Sequence, residues 1–106
     1  MKHDMCKSEI FAEILQAVSR ETEVSASQIL SSCKHTEVVD ARCIYVKLLS
    51  EHGFYPVQIA MYMQKTPASI RYLLGHYEAR LSTNKMIAIY AQNVRKQLKN
   101  NLFPSI

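Results

Sequence analysis

The chain has 106 residues, a formal net charge of +4 and 48% hydrophobic residues, the profile of one globular domain with a modest core. It has only 2 glycines and 3 prolines, so long helices are the natural reading. Three widely spaced cysteines (Cys6, Cys33 and Cys43) argue against a disulfide framework, and no run of 18 apolar residues exists to span a membrane. Lys2 and Lys7 precede no apolar stretch of the signal-peptide kind, so an intracellular, cytoplasmic, soluble protein is expected.

The charge is unevenly spread. Residues 1–32 hold 3 basic and 5 acidic side chains, whereas residues 33–106 hold 10 basic and 4 acidic ones. The positive excess of the C-terminal two-thirds suits a polyanionic partner, because neutralising phosphates releases counterions.

In chain order, Ile10, Phe11, Ile14, Leu15 and Val18 lie on one helical face. Ser8 is a plausible cap, which gives helix 1 the range of about 9–21. Ser25-Ala26-Ser27-Gln28 is a capping-box pattern that opens a short helix ending near Ser31 or Ser32. Ser32 to His35 read as a polar, basic loop. Thr36 can cap helix 3, which has Val38, Ala41, Ile44, Tyr45, Leu48 and Leu49 as its buried stripe and Gly53 as its stop. Pro56 suits the first position of helix 4, with Val57, Ile59, Ala60 and Met63 on its apolar face. Gln64, Lys65 and Thr66 form a turn. Thr66-Pro67 caps and opens helix 5, expected over about 67–81, with Ile70, Leu73, Leu74, Tyr77 and Leu81 inward. Ser82 or Thr83 starts helix 6, whose apolar positions are Met86, Ile87, Tyr90, Val94 and Leu98. The tail from Asn100 has no periodicity, and Leu102 and Phe103 can fold back on the body. No strand pattern or repeat is present, so the expected fold is all-α, one compact bundle of about six helices over residues 1–106.

The segment Ile59 to Leu74 meets the constraints of a helix-turn-helix, the motif extending over about 56–81. Ala60 supplies the small residue where the second helix crosses the first. Ile59, Met63, Ile70 and Leu73 supply the facing apolar residues, and Thr66-Pro67 the cap of the second helix. One departure stands out: Gln64 occupies the turn position usually given to glycine, where a left-handed backbone costs a non-glycine residue roughly 1–2 kcal/mol. An antiparallel hairpin with no nucleic-acid role shares the same pattern.

Several longer stretches resemble a known family. Val24 to Ser32 looks like a short helix leading into a basic loop. Ala41 to Leu49, with Arg42 at its head, looks like that family's Arg-x-Val-Ala-Met-Tyr-Leu helix. Pro56 to Ile59 looks like the start of its first motif helix, and Ala68-Ser69-Ile70 stands where it has Thr-Thr-Val. In this order, from about Ile14 to Leu98, the chain resembles the C-terminal DNA-binding domain of the bacterial replication initiator DnaA. The resemblance implies a Trp-repressor-like helical architecture, with double-stranded DNA as the ligand in replication or transcription control. The family's Arg-Asp-His-Thr-Thr signature is replaced by Lys65-Thr66-Pro67-Ala68-Ser69, so the initiator's own origin box is not the expected target. No nucleotide-binding loop of the G-x-x-x-x-G-K-[ST] type occurs, so an ATPase is not expected.

The candidate DNA contacts are Lys34, His35, Arg42, Lys65, Thr66, Ser69, Arg71, Tyr72 and His76. Arg71 and Tyr72 should lie on the open face of helix 5, where Arg71 can grip guanine or phosphate and Tyr72 can touch a thymine methyl. His76 lies one turn further on. Lys65, Thr66 and Ser69 sit at a helix N-terminus that favours phosphate. Thr66 is equally explained by capping, and Arg42 by pairing with Glu37 or Asp40. Cys33-Lys34-His35 with Cys43 matches no familiar zinc spacing, so neither metal nor other cofactor is expected. His3, His35, His52 and His76 are scattered, and no enzyme is expected. No small-molecule substrate or membrane partner is indicated. A homodimer through helix 1 or helix 6 is open, as is a protein–protein adaptor that kept the scaffold without DNA binding. DNA binding requires Lys34, Lys65 and Arg71 to share a face with the start of helix 5.

Overall fold

The computed structural model describes residues 6–101, and for Asn101 the backbone only. Six helices follow in order: α1 (Lys7–Thr22), α2 (Ala26–Leu30), α3 (Thr36–Glu51), α4 (Pro56–Met63), α5 (Pro67–Thr83) and α6 (Met86–Asn101). The described residues form no strand, so the all-α bundle expected from the periodicity is the observed fold. The expected packing of Leu102 and Phe103 lies outside the described residues.

α3 is the hub and packs against each of the other five helices. Its predicted stripe of Val38, Ala41, Ile44, Tyr45, Leu48 and Leu49 is buried, and so are Asp40, Arg42, Cys43 and Val46. A helix surrounded on all sides hides its polar positions as well as its apolar ones. Tyr45 is fully buried, and its hydroxyl donates to the Phe11 carbonyl at 3.0 Å. Burial pushes its pKa far above the usual phenol range. Phe11 stacks on Tyr62 at 4.2 Å between centroids and lies 4.6 Å from Phe54, which ties α1 to the entry of α4.

Helix ends differ from expectation where another side chain is better placed. α1 begins one residue before Ser8, with Cys6 at the N-cap and its N–H donating to Glu9 Oε1. Thr36 is the first residue of α3, not its cap; His35 takes that position without a side-chain bond. Ser82 and Thr83 do not open α6. Their hydroxyls donate back to the carbonyls of Ala79 and Arg80, which carries α5 on to Thr83. Asn84 serves α6 instead, its Oδ1 accepting from the Met86 N–H. Met86 is therefore at the first turn and exposed, not in the core. Gly53 ends α3 at φ 93°, and the Phe54 N–H reaches back to the Leu49 carbonyl, the expected glycine stop.

Candidate nucleic-acid interface

α4 and α5, joined by the turn at Gln64 and Lys65, pack against each other where the sequence outlines a helix-turn-helix. The Tyr55 N–H donates to Gln58 Oε1 and Pro56 opens α4. Ala60, Ile59, Met63, Ile70 and Leu73 are all buried, and α4 packs against α5. Gln64 does adopt the left-handed conformation, at φ 57° and ψ 46°. The turn thus keeps its shape without glycine and tolerates the strain. The return bond from the Lys65 N–H to the Ala60 carbonyl, 2.8 Å, supports it.

At the start of α5, Thr66 Oγ1 accepts from the Ser69 N–H at 3.1 Å, and Ser69 Oγ donates to the Thr66 carbonyl at 2.8 Å. Both side chains already serve the cap. Arg71, Tyr72 and His76 project from the outer face of α5, all exposed. The Tyr72 and His76 rings lie 4.0 Å apart, and His76 Nδ1 is 2.8 Å from the Tyr72 carbonyl. Ala68, Gly75, Glu78 and Ala79 complete this exposed face, with Glu78 two turns beyond Arg71. A Cβ on Gly75 would meet nothing within 4 Å, so no internal contact requires the glycine. In mid-helix it costs roughly 1 kcal/mol relative to alanine.

Arg42 is placed where the sequence reading did not put it. It is 5% exposed and pairs with neither Glu37 nor Asp40. Its Nε donates to the Ile29 carbonyl (2.8 Å), Nη2 to Gln28 (3.0 Å) and Nη1 to Cys33 (3.0 Å). Burial lowers its pKa, with Cys33 and Cys43 opposing. A guanidinium committed to three carbonyls is an internal strut, not a surface contact. The half-buried Lys65 reaches the same segment, its Nζ donating to the Ser31 carbonyl at 3.0 Å. Burial lowers the Lys65 pKa, and the charges of Arg42 and Lys34 lower it further. The structure thus brings Lys34, Arg42 and Lys65 together beside the turn into α5. His35 is exposed and lines an open cleft of about 600 Å³ shared with Glu23, Glu37 and Tyr90.

Asp40 is taken by Arg80 and by Asn84, whose Nδ2 donates to Asp40 Oδ2 at 3.1 Å. Sequence periodicity gave no sign of this pairing across 40 residues. The buried Cys43 thiol donates to the Leu73 carbonyl at 3.3 Å, and burial pushes its pKa up to about 11. Together these contacts fix α5 against α3. Among the described residues no group of three or more His, Cys, Asp or Glu side chains is placed to hold a metal ion, and no helix is long and apolar enough to cross a membrane.

No family model, no curated protein and no solved structure matches this chain.

Proposed function

We propose that this chain binds double-stranded DNA through α4 and α5, with the α2–α3 loop as a second contact and no catalytic step. The observation that carries this reading is the gathering of Lys34, Lys65 and Arg42 beside the N-terminus of α5. Lys65 and Arg42 donate there to the carbonyls of Ser31 and Cys33, just before Lys34, and neither pairs with a carboxylate among the described residues. A cluster that repels itself gains most from a polyanion, and the dipole of α5 adds positive potential at the same end. The exposed Arg71 and the Tyr72–His76 pair then offer base-edge contacts on a helix face whose centre is kept low by Ala68, Gly75 and Ala79 and whose far edge carries Glu78. The resemblance to the initiator's DNA-binding domain supports duplex DNA as the ligand. The replacement of its Asp-His pair by Thr66-Pro67 points to a different target sequence.

A salt series with random duplex tests the reading. About 4–6 phosphate contacts predict a slope of log K against log salt near −4 to −5. Arg71→Ala should weaken binding by about 1–3 kcal/mol if Arg71 reads a base. Absence of duplex binding at low salt overturns the proposal.

One feature favours a second reading, a protein–protein adaptor. Tyr55, Val57 and Met61, on or just before α4, are 72%, 54% and 77% exposed, and α4 carries no charged residue. An uncharged apolar face of this kind suits a protein partner. Met61→Glu should weaken duplex binding and leave any protein capture intact if α4 meets DNA. It should abolish partner capture if α4 is the docking face.

A further inference from the structure

The segment from Gln28 to Cys33 is held in place both by its own turn at Ser31 and by side chains from elsewhere in the chain. α2 has five residues, too few to be stable alone; the Ser31 N–H and hydroxyl close its end onto the Gln28 carbonyl, and the other carbonyls that follow turn to side chains outside the helix. Arg42, from the central helix α3, satisfies the carbonyls of Gln28, Ile29 and Cys33. Lys65, from the turn between α4 and α5, satisfies that of Ser31. Two cations from two different elements therefore string this segment between the core and the helix-turn-helix. Lys34 follows it directly in the chain and is exposed.

We infer that Arg42 is a positioning residue for duplex DNA: through the carbonyls of residues 28–33, and jointly with Lys65, it locks the Lys34 loop to the start of α5 so that both meet the duplex as one rigid surface. The inference rests on the function proposed above. Arginine suits the task because its planar fork presents donors in several fixed directions, whereas lysine offers one compact charge. The guanidinium itself is too deeply buried, and too fully bonded, to serve as a phosphate contact. Its effect on binding must pass through Lys34 and its neighbours. Rigidity matters here because a loop that must be ordered on binding loses affinity to the entropy of ordering.

The test is a double-mutant cycle on the full chain with a random 20–30 base-pair duplex, read by fluorescence anisotropy across a salt series. Wild type, Arg42→Lys, Lys34→Ala and the double variant are compared. Each single substitution should weaken binding about 3–10-fold at low salt and reduce the magnitude of the slope by about one. The double variant should be no more than about 2-fold weaker than the weaker single, since both remove the same contact. Multiplying losses would mean that Arg42 acts on DNA independently of the loop, and would overturn the inference. So would an Arg42→Lys variant with unchanged affinity and slope. Should Arg42→Lys fail to fold, Lys65→Met decides. Loss of its own charge together with the loop contact reduces the slope by about two, whereas a reduction of one overturns the coupling. Wild type that binds no duplex refutes the DNA reading itself, a result distinct from multiplying losses in a chain that does bind.

Discussion

Two regions of this molecule hold their cations in opposite ways. On one side, Arg80 and Arg95 meet carboxylates: Arg80 pairs with Asp40, and Arg95 forms a two-pronged pair with Glu51 at 2.9 and 2.7 Å. On the other, Arg42 and Lys65 meet backbone carbonyls. The pKa directions follow. The Glu51 hydrogen bond raises the pKa of Arg95, whereas burial lowers those of Arg42 and Lys65. A carboxylate cancels a full charge; a carbonyl supplies only part of a dipole. The carboxylate-bound cations are therefore cancelled, whereas Arg42 and Lys65 keep their positive charge. That is the condition under which an anionic partner gains most by binding.

The largest expected effect comes from breaking a carboxylate-bound pair. Asp40→Ala leaves Arg80 without its carboxylate and Asn84 without its acceptor. It should cost about 2–3 kcal/mol in urea unfolding, below the full range for a buried pair because the Arg80 side chain is 31% exposed. A loss under about 0.5 kcal/mol would show that the pair is not structural.

The side of Arg42 and Lys65 carries backbone strain that can be relieved. Gln64→Gly should raise stability by about 0.5–1 kcal/mol, the left-handed cost less the added flexibility of the unfolded chain. Equal or lower stability would show that the Gln64 side chain compensates the strain.

Glu51→Gln tests the exposed pair and should cost no more than about 1 kcal/mol. The Arg95 hydrogen bond holds the Glu51 carboxyl below its ordinary pKa, so its contribution is complete above the usual glutamate range. It is then lost as pH falls through the lowered folded-state value. Urea midpoints of wild type and variant should converge on acidification below about pH 4, and a difference that persists at pH 2 would rule the ion pair out as its source.

The smallest effect sharpens the contrast. Lys99, exposed in the last turn of α6, should contribute nothing to duplex binding. Lys99→Ala should leave the salt slope within experimental error of wild type, while Lys34→Ala reduces it by about one. Equal reductions would mean that binding follows net charge and not a located surface.

Much of the fold was legible because periodicity records which faces are apolar. The stripes of α1, α3, α4 and α5 are buried largely as their spacing implies, except for Val57, which was expected on the apolar face of α4 and is 54% exposed; the proline and glycine signals at Pro56, Pro67 and Gly53 mark real helix boundaries. The ends of α5 and α6 were not legible. Ser82 and Thr83 can cap a helix or bond back to one, and only the position of Asn84 beside Asp40 decides between these. The candidate site divides the same way. Arg71, Tyr72 and His76 occupy the open face that spacing assigned to them, since a side chain on an exposed helix needs no partner to place it. Arg42 looked identical to a surface arginine, because nothing local reveals that three carbonyls from residues 28–33 surround it.

The sequence by itself determined an all-helical bundle, the helix-turn-helix frame from Ile59 to Leu74 and an excess of positive charge after residue 32. These depend on residue type and spacing along one chain direction. Only the tertiary structure decided which cations are cancelled by carboxylates and which stay open. That outcome turns on distances between side chains far apart in sequence, such as Arg80 with Asp40 and Lys65 with Ser31.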